Sequence, residues 1–184
     1  MPVHQSIAVL DAGGIHAIHS WRFDANAAAL AGPEPRREPS ALVVMKGKIL
    51  LADDDPEILV SLSAVLNSEG YEVVTAANGR EACQKFKEEH VDVAVLDLKM
   101  PVRDGWDAFE RLSTINPLVQ VIIITARPDQ YPTAVAAGVA AFMEKPLDLP
   151  LLIKTIDDLL TEPIESRLSR LTGREPAARY LRTD

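Results

Sequence analysis

The sequence of 184 residues contains a single cysteine, Cys83, so neither an internal disulfide nor a cysteine-based zinc site can form. It has no apolar run that approaches membrane-spanning length, and its first residues lack the basic segment that opens a secretory signal peptide. These absences predict a cytoplasmic protein without membrane attachment. Hydrophobic residues make up 47% and charged residues 25%, which is typical of a globular domain and not of a mainly disordered chain.

Basic residues are fewer than acidic residues, 19 against 27, so the net charge is −8. The central segment 47–161 holds ten Lys and Arg against nineteen Asp and Glu, whereas the two flanking segments are nearly neutral. An acidic domain repels the phosphate backbone of nucleic acids, so direct nucleic-acid binding is not predicted. The same excess of carboxylates is suited to binding a cation.

The chain divides into three segments of different composition. Residues 1–46 mix small residues with a proline-rich charged stretch and have no sustained period, which predicts a disordered or weakly ordered extension. Because Met45 stands directly ahead of the first predicted strand, an alternative is that translation begins there. Residues 47–161 carry the predicted folded domain. Residues 162–184 form a short tail in which apolar spacing predicts one short, solvated helix.

The central segment alternates short apolar runs with helical patterns, five times in succession. Such runs are typical of strands that a parallel sheet buries on both faces, and the helices between them cover those faces. The predicted strands are residues 48–52, 71–75, 91–96, 119–124 and 140–143. The pattern therefore predicts an α/β domain with a doubly wound, five-stranded parallel sheet and five helices. The fourth helix, near Pro132, is predicted to be short and mobile.

Five polar residues follow the predicted strands. Asp53 and Asp54 follow the first strand, Asp97 the third, Thr125 the fourth and Lys145 the fifth. The carboxyl ends of parallel strands meet at one edge of a sheet, so we expect these side chains to lie close together. Crowded carboxylates repel each other by about 4 kcal/mol per pair at contact distance, and a divalent cation relieves that repulsion. An all-oxygen site with few protein ligands suits Mg²⁺, for which Mn²⁺ can substitute.

A magnesium-bound pocket of this kind is suited to a phosphoryl group. A lysine ammonium and a threonine hydroxyl, here Lys145 and Thr125, can neutralise and orient phosphoryl oxygens. Asp97 is the carboxylate predicted to attack phosphorus. An alternative is that Asp53, Asp54 and Asp55 only form a helix-capping loop, and Asp55 is predicted to do so.

Five motifs occur in register along the central segment: ILLADDDP at 49–56, VLDLKMP at 95–101, DG at 104–105, ITA at 124–126 and FMEKP at 142–146. Together they resemble the receiver domain of two-component response regulators over residues 48–161. The resemblance implies a flavodoxin-like fold with strand order 2-1-3-4-5, similar to the single-domain receivers of chemotaxis. The span between Thr125 and Lys145 is slightly shorter than is usual in the family.

The resemblance also implies a role for each matching residue. Asp97 would be the phosphoacceptor and a metal ligand, Asp54 would bind Mg²⁺ directly, and Asp53 would act partly through water. The main-chain carbonyl of Lys99 would complete the protein ligands, with its side chain pointing away.

The other implied roles concern the change between the inactive and the active conformation. Thr125 would reach a phosphoryl oxygen in the active state, and Lys145 would pair with the acidic cluster or with phosphate. Phe142 would be the aromatic residue that changes rotamer, although an aromatic near a strand end is usually only part of a core. Lys145-Pro146 would be a cis peptide bond.

The sequence also excludes an aspartyl phosphatase and a dinucleotide-binding site. Aspartyl phosphatases carry a second aspartate two residues after the nucleophile, where this sequence has Lys99. No Gly-x-Gly-x-x-Gly motif follows the first strand, which excludes a Rossmann dinucleotide site.

The function implied by the resemblance is that of a stand-alone response regulator and not of a conventional enzyme. A sensor histidine kinase or a histidine phosphotransfer protein would donate the phosphoryl group to Asp97, and a surface around residues 128–160 would change its affinity for an unknown downstream protein. One alternative is a phosphorelay intermediate or phosphate sink. Another is an interaction module that works without phosphorylation.

Overall fold

The computed structural model describes residues 45–173 and 178–181. Its strands are β1 (Lys48–Ala52), β2 (Glu72–Ala76), β3 (Val93–Asp97), β4 (Gln120–Thr125), β5 (Ala141–Glu144) and β6 (Arg179–Leu181). Its α-helices are α1 (Pro56–Ser68), α2 (Gly79–Glu88), α3 (Gly105–Ile115), α4 (Tyr131–Ala137), α5 (Leu149–Leu160) and α6 (Ile164–Leu171). A short 3-10 helix, Pro128–Gln130, precedes α4.

All strands lie in one parallel sheet with the order β2-β1-β3-β4-β5-β6. The predicted doubly wound sheet with order 2-1-3-4-5 is therefore confirmed for the first five strands. The sixth strand was not predicted. It pairs with β5 and extends the sheet at the edge that the five-strand arrangement would leave open.

The strands bury alternate residues on opposite faces of the sheet, because successive side chains of a strand point in opposite directions. In β1, Leu50 packs in the core beneath α2, α3 and α4, whereas Ile49 and Leu51 pack beneath α1 and α5. Both cores are made of fully buried aliphatic side chains in the central strands. This double burial explains why the central strands read as unbroken apolar runs and not as an alternating pattern.

Side chains cap the major helices, and the cap at Asp55 was predicted from the sequence. The carboxylate of Asp55 accepts a hydrogen bond from the main-chain N–H of Glu57 at the start of α1, and Pro56 occupies the first helical position. Asn78 caps α2 in the same way. The helix near Pro132 is only seven residues long, as predicted. Among the residues that the structure describes, no helix is long and apolar enough to cross a membrane.

The C-terminal tail differs from the prediction of a solvated helix. Arg170, on α6, is only 8% exposed and forms a salt bridge of 2.7 Å with Glu162. The amide of Gln120, at the start of β4, also bonds both residues of this pair. The sequence pattern missed this docking because Gln120 is 50 residues away from Arg170 along the chain.

Candidate functional site

The carboxyl edge of the sheet brings the predicted polar residues together. Asp97 and Thr125 are the last residues of β3 and β4, which end one residue later than predicted, while Asp53 and Lys145 directly follow β1 and β5. The parallel register aligns Asp97 with Ile124 of the neighbouring strand. Four side chains from separate parts of the sequence thus lie at one edge.

Lys145 bridges the two buried carboxylates of this edge. Its ammonium nitrogen lies 2.8 Å from Oδ2 of Asp53 and 2.9 Å from Oδ1 of Asp97. The side chains of Asp53 and Asp97 are 1% and 5% exposed, against 24% for Lys145. Two carboxylates buried this deeply need a compensating positive charge, and Lys145 supplies it from the rim of the pocket.

The charge state of Lys145 depends on two opposing effects. Burial lowers the pKa of the ammonium group, but the hydrogen bonds and charges of Asp53 and Asp97 outweigh burial and raise the pKa above its ordinary value. Lys145 is therefore fully protonated at neutral pH.

Main-chain N–H groups bind the other oxygens of the two carboxylates. The N–H of Asp55 donates to Oδ1 of Asp53 at 2.9 Å, and the N–H of Lys99 donates to Oδ2 of Asp97 at 2.6 Å. Each carboxylate is therefore oriented by one backbone group and one ammonium group. The side chain of Lys99 itself is exposed.

Thr125 is linked to the same edge through its main chain. Its carbonyl oxygen accepts a hydrogen bond of 2.9 Å from the N–H of Lys145, and its hydroxyl accepts one of 3.2 Å from the N–H of Arg127. The residue is 1% exposed. The peptide bond between Lys145 and Pro146 is cis, as the resemblance implies.

Gly105 has a structural role here that the sequence analysis did not assign. A Cβ atom at this position would lie 2.3 Å from the carbonyl oxygen of Asp97 and 2.8 Å from Cα of Leu98. Only glycine allows the first turn of α3 to approach the main chain of Asp97 so closely. The conformation at Asp97 therefore depends on the helix that follows it.

The predicted metal ligands are only partly assembled by these contacts. Asp54 is exposed beside Asp53, and within residues 45–173 and 178–181 no three Asp, Glu, His or Cys side chains converge as a metal site. Mg²⁺ retains several waters, however, and commonly takes only one or two protein carboxylates. Asp53 and Asp97 provide two buried carboxylates near a main-chain loop, so the donor chemistry of this edge fits Mg²⁺.

Phe142 lies in β5, three residues before Lys145, and is fully buried. Its ring packs against Tyr131 of α4 at a centroid distance of 5.7 Å and against Tyr180 of β6 at 5.8 Å. Neither tyrosine was predicted from the sequence. No spacing could have selected Tyr180, because its contact with Phe142 requires the tail to fold back on β5.

Comparisons with known proteins agree with this geometry. The family model for the response regulator receiver domain matches residues 49–157. Transcriptional regulatory protein GlrR of Escherichia coli (strain K12) is 43% identical over 117 residues, which cover 62% of this chain but 26% of GlrR. The chain thus spans about a quarter of the length of that relative. Sporulation initiation phosphotransferase F of Bacillus subtilis (strain 168) is 35% identical over 108 residues, which cover 58% of this chain and 87% of that protein.

A solved structure adds a comparison at the level of the fold. The crystal structure of response regulator protein TrrA from Thermotoga maritima, in complex with Mg(2+)-BeF, has a TM-score of 0.57 and 29% sequence identity. The match covers 61% of this chain and 98% of that chain. Since the family model spans more than half of the sequence and the strand order agrees, this chain belongs to the response regulator receiver domain family of two-component systems.

Proposed function

We propose that Asp97 accepts a phosphoryl group from a phosphohistidine on a sensor histidine kinase or a histidine phosphotransfer protein. The observation that carries the proposal is the bridging of Asp97 and Asp53 by Lys145, at 2.9 Å and 2.8 Å. This contact gives the buried carboxylate that would act as the nucleophile a positive counter-charge. It also puts an ammonium group where it can bind a phosphoryl oxygen.

The proposed transfer is a single substitution at phosphorus. A carboxylate oxygen of Asp97 forms a bond to phosphorus while the bond from phosphorus to the histidine nitrogen breaks, and its electron pair returns to the imidazole. Thr125 donates a hydrogen bond to a phosphoryl oxygen, and Lys145 neutralises another. Later attack by water on phosphorus breaks the bond to Asp97 and releases inorganic phosphate.

The metal in this proposal is Mg²⁺, for which Mn²⁺ can substitute. Asp53, Asp54, Asp97 and the main-chain carbonyl of Lys99 would hold it. When bound, the ion neutralises the charge that the phosphoryl oxygens bring into a pocket that is already acidic. The TrrA structure supports this assignment, because that relative was crystallised with Mg(2+)-BeF.

Signalling in this proposal is a shift between two conformations. Thr125 moves towards the phosphoryl group, Phe142 moves inward behind it, and the surface around residues 128–160 changes its affinity for a downstream protein. That the chain acts as a stand-alone regulator stays a prediction, as do its cytoplasmic location and its lack of direct nucleic-acid binding. The match to GlrR does not bear on these three predictions, because most of the length of GlrR lies outside the matched segment.

The proposed phosphorylation can be tested by incubating the full chain with acetyl phosphate and Mg²⁺ and measuring its intact mass. We expect a gain of one phosphoryl group in the wild type and none in Asp97→Asn. The matched control is Asp107→Asn, which removes an exposed carboxylate from α3 and should be phosphorylated like the wild type. An unmodified wild type would instead favour an interaction module that works without phosphorylation.

A second candidate function is that of a phosphorelay intermediate. It is favoured by the similarity to a protein named a sporulation initiation phosphotransferase, most of whose length this chain covers. The two functions differ in the fate of the phosphoryl group. The purified phosphorylated chain can be mixed with histidine phosphotransfer proteins. A relay intermediate would transfer its phosphoryl group to one of them, whereas a terminal regulator would release inorganic phosphate.

A further inference from the structure

The outer edge of β5 binds an extended segment of the chain itself. In a five-stranded receiver sheet β5 is an edge strand, and its unpaired N–H and C=O groups can accept another strand. Here β6 occupies that edge in parallel, with Ala141, Phe142 and Met143 opposite Arg179, Tyr180 and Leu181 respectively. Three residues of the tail thus complete the sheet next to the predicted switch residue.

Side chains recognise the same tail segment. The ring of Tyr180 stacks on that of Phe142 with an interplanar angle of 25°, and its centroid lies 4.5 Å from that of Tyr131. The hydroxyl of Tyr131 donates to the carbonyl oxygen of Ala178 at 3.1 Å, and the hydroxyl of Tyr180 donates to the carboxylate of Glu144 at 3.1 Å. We call β5 together with Tyr131 the strand-docking surface.

We propose that the strand-docking surface is a binding site for an extended, aromatic-containing segment, that residues 178–181 are its resident ligand, and that phosphorylation of Asp97 weakens their binding. This inference rests on the proposed function, because it uses the inward movement of Phe142. When that ring moves towards Thr125, it leaves the face of Tyr180. The tail then loses the stacking of Tyr180 on Phe142, and the freed β5 edge can accept a strand from the downstream partner.

The attachment of α6 allows β6 to leave by itself. Arg170 and Glu162 fasten α6 to Gln120 at the opposite end of β4 from Thr125, so this anchor does not involve the strand-docking surface. A released β6 therefore stays tethered to the domain. Tethering keeps its effective concentration high and makes re-binding rapid once the phosphoryl group is lost.

The two events are thermodynamically reciprocal. If phosphorylation weakens tail binding, weakening the tail must favour the phosphorylated conformation by the same factor. An aromatic pair of this kind contributes a factor of about two to ten in the equilibrium. Beryllofluoride with Mg²⁺ provides a stable mimic of the phosphoryl group with which this factor can be measured at equilibrium.

The experiment compares three full-length proteins: the wild type, Tyr180→Ala and Tyr180→Phe. Beryllofluoride is titrated into each in the presence of Mg²⁺, and its dissociation constant is measured by calorimetry. We expect Tyr180→Ala to bind about two- to tenfold more tightly than the wild type. Tyr180→Phe keeps the stacked ring and loses only the hydroxyl, so its affinity should stay near that of the wild type.

A second measurement uses only the wild type and so does not depend on the folding of a variant. Hydrogen exchange of the amides of residues 179–181 should accelerate when beryllofluoride and Mg²⁺ are added, while amides of the central strands β1 and β3 do not. If the wild type binds beryllofluoride with no acceleration in β6 and no gain in Tyr180→Ala, the tail is a fixed part of the sheet and the inference is wrong. If the wild type does not bind beryllofluoride at all, the proposed function itself fails.

Discussion

Val102, in the loop that follows β3, has a backbone conformation that its side chain disfavours. Its φ is 68°, in the left-handed region, and it is 74% exposed. A β-branched residue is strained there, and no burial compensates. The loop between Asp97 and α3 therefore contains local strain close to the proposed reaction site.

Replacing Val102 by glycine should stabilise the protein. Relief of left-handed strain exceeds the greater chain entropy of glycine in the unfolded state, so we expect the free energy of unfolding to rise by about 0.5–1 kcal/mol. Urea denaturation measures this change. The matched control is Val60→Gly, at an equally exposed valine within α1, which should lower stability by about 0.5 kcal/mol. Equal signs for the two variants would contradict the assignment of strain.

Lys145 should be needed for stability as well as for chemistry. Replacement by methionine leaves the carboxylates of Asp53 and Asp97 buried without their counter-charge, so we expect a loss of about 3 kcal/mol. Millimolar Mg²⁺ should recover part of this loss, because the ion can replace the missing positive charge. Urea denaturation with and without Mg²⁺ checks both expectations. Lys154→Met removes an exposed ion pair with Asp158, and its free energy of unfolding should stay close to that of the wild type.

At the scale of elements, α6 is joined to the domain by a buried ion pair whose strength depends on pH. Burial raises the pKa of Glu162, but hydrogen bonds from Arg170 and Gln120 outweigh it, and the net pKa lies below the ordinary value. A carboxylate with a depressed pKa stabilises the folded state above its unfolded pKa, which is about 4.3 for glutamate. That contribution is lost as the pH falls through the lower, folded pKa.

The difference in stability between the wild type and Glu162→Gln should therefore depend on pH. It should be greatest above about pH 5 and shrink as the pH falls through the lowered pKa of folded Glu162, because below that pKa the group is protonated in both folded and unfolded chains. Urea denaturation across this range measures the difference. Glu165→Gln, at an exposed position of the same helix, should follow the wild type at every pH. If the difference in stability between the wild type and Glu162→Gln did not change with pH, the carboxylate of Glu162 would not anchor α6.

At the scale of the whole molecule, binding at the carboxyl edge should stabilise the entire domain. A ligand at a hundred times its dissociation constant adds about 2.7 kcal/mol, which for a domain of this size corresponds to a rise of about 5–10 °C in Tm. We expect this rise for the wild type with beryllofluoride and Mg²⁺, measured by calorimetry. Asp97→Asn should show no rise, and a similar rise in that variant would indicate binding elsewhere.

Much of the architecture could be predicted from local pattern. The alternation of apolar runs and helical periods predicted five parallel strands, and the residues ahead of α1 predicted the helix cap at Asp55, because these features depend on neighbouring residues. The convergence of Asp53, Asp97 and Lys145 followed from the rule that parallel strands share a carboxyl edge. The strand β6 could not be predicted, since three residues have no measurable period and are stabilised only by pairing with β5.

The sequence by itself determined the family, the fold and the residues that meet at the carboxyl edge of the sheet, because the strand ends and the five motifs are local features. Only the tertiary structure decided what Lys145 touches, how closely Gly105 approaches Asp97, and where the tail lies. The tail docks through contacts between residues far apart in sequence, such as Arg170 with Gln120 and Tyr180 with Phe142. Such contacts form only when the rest of the sheet has already brought their partners together, and no local pattern encodes them.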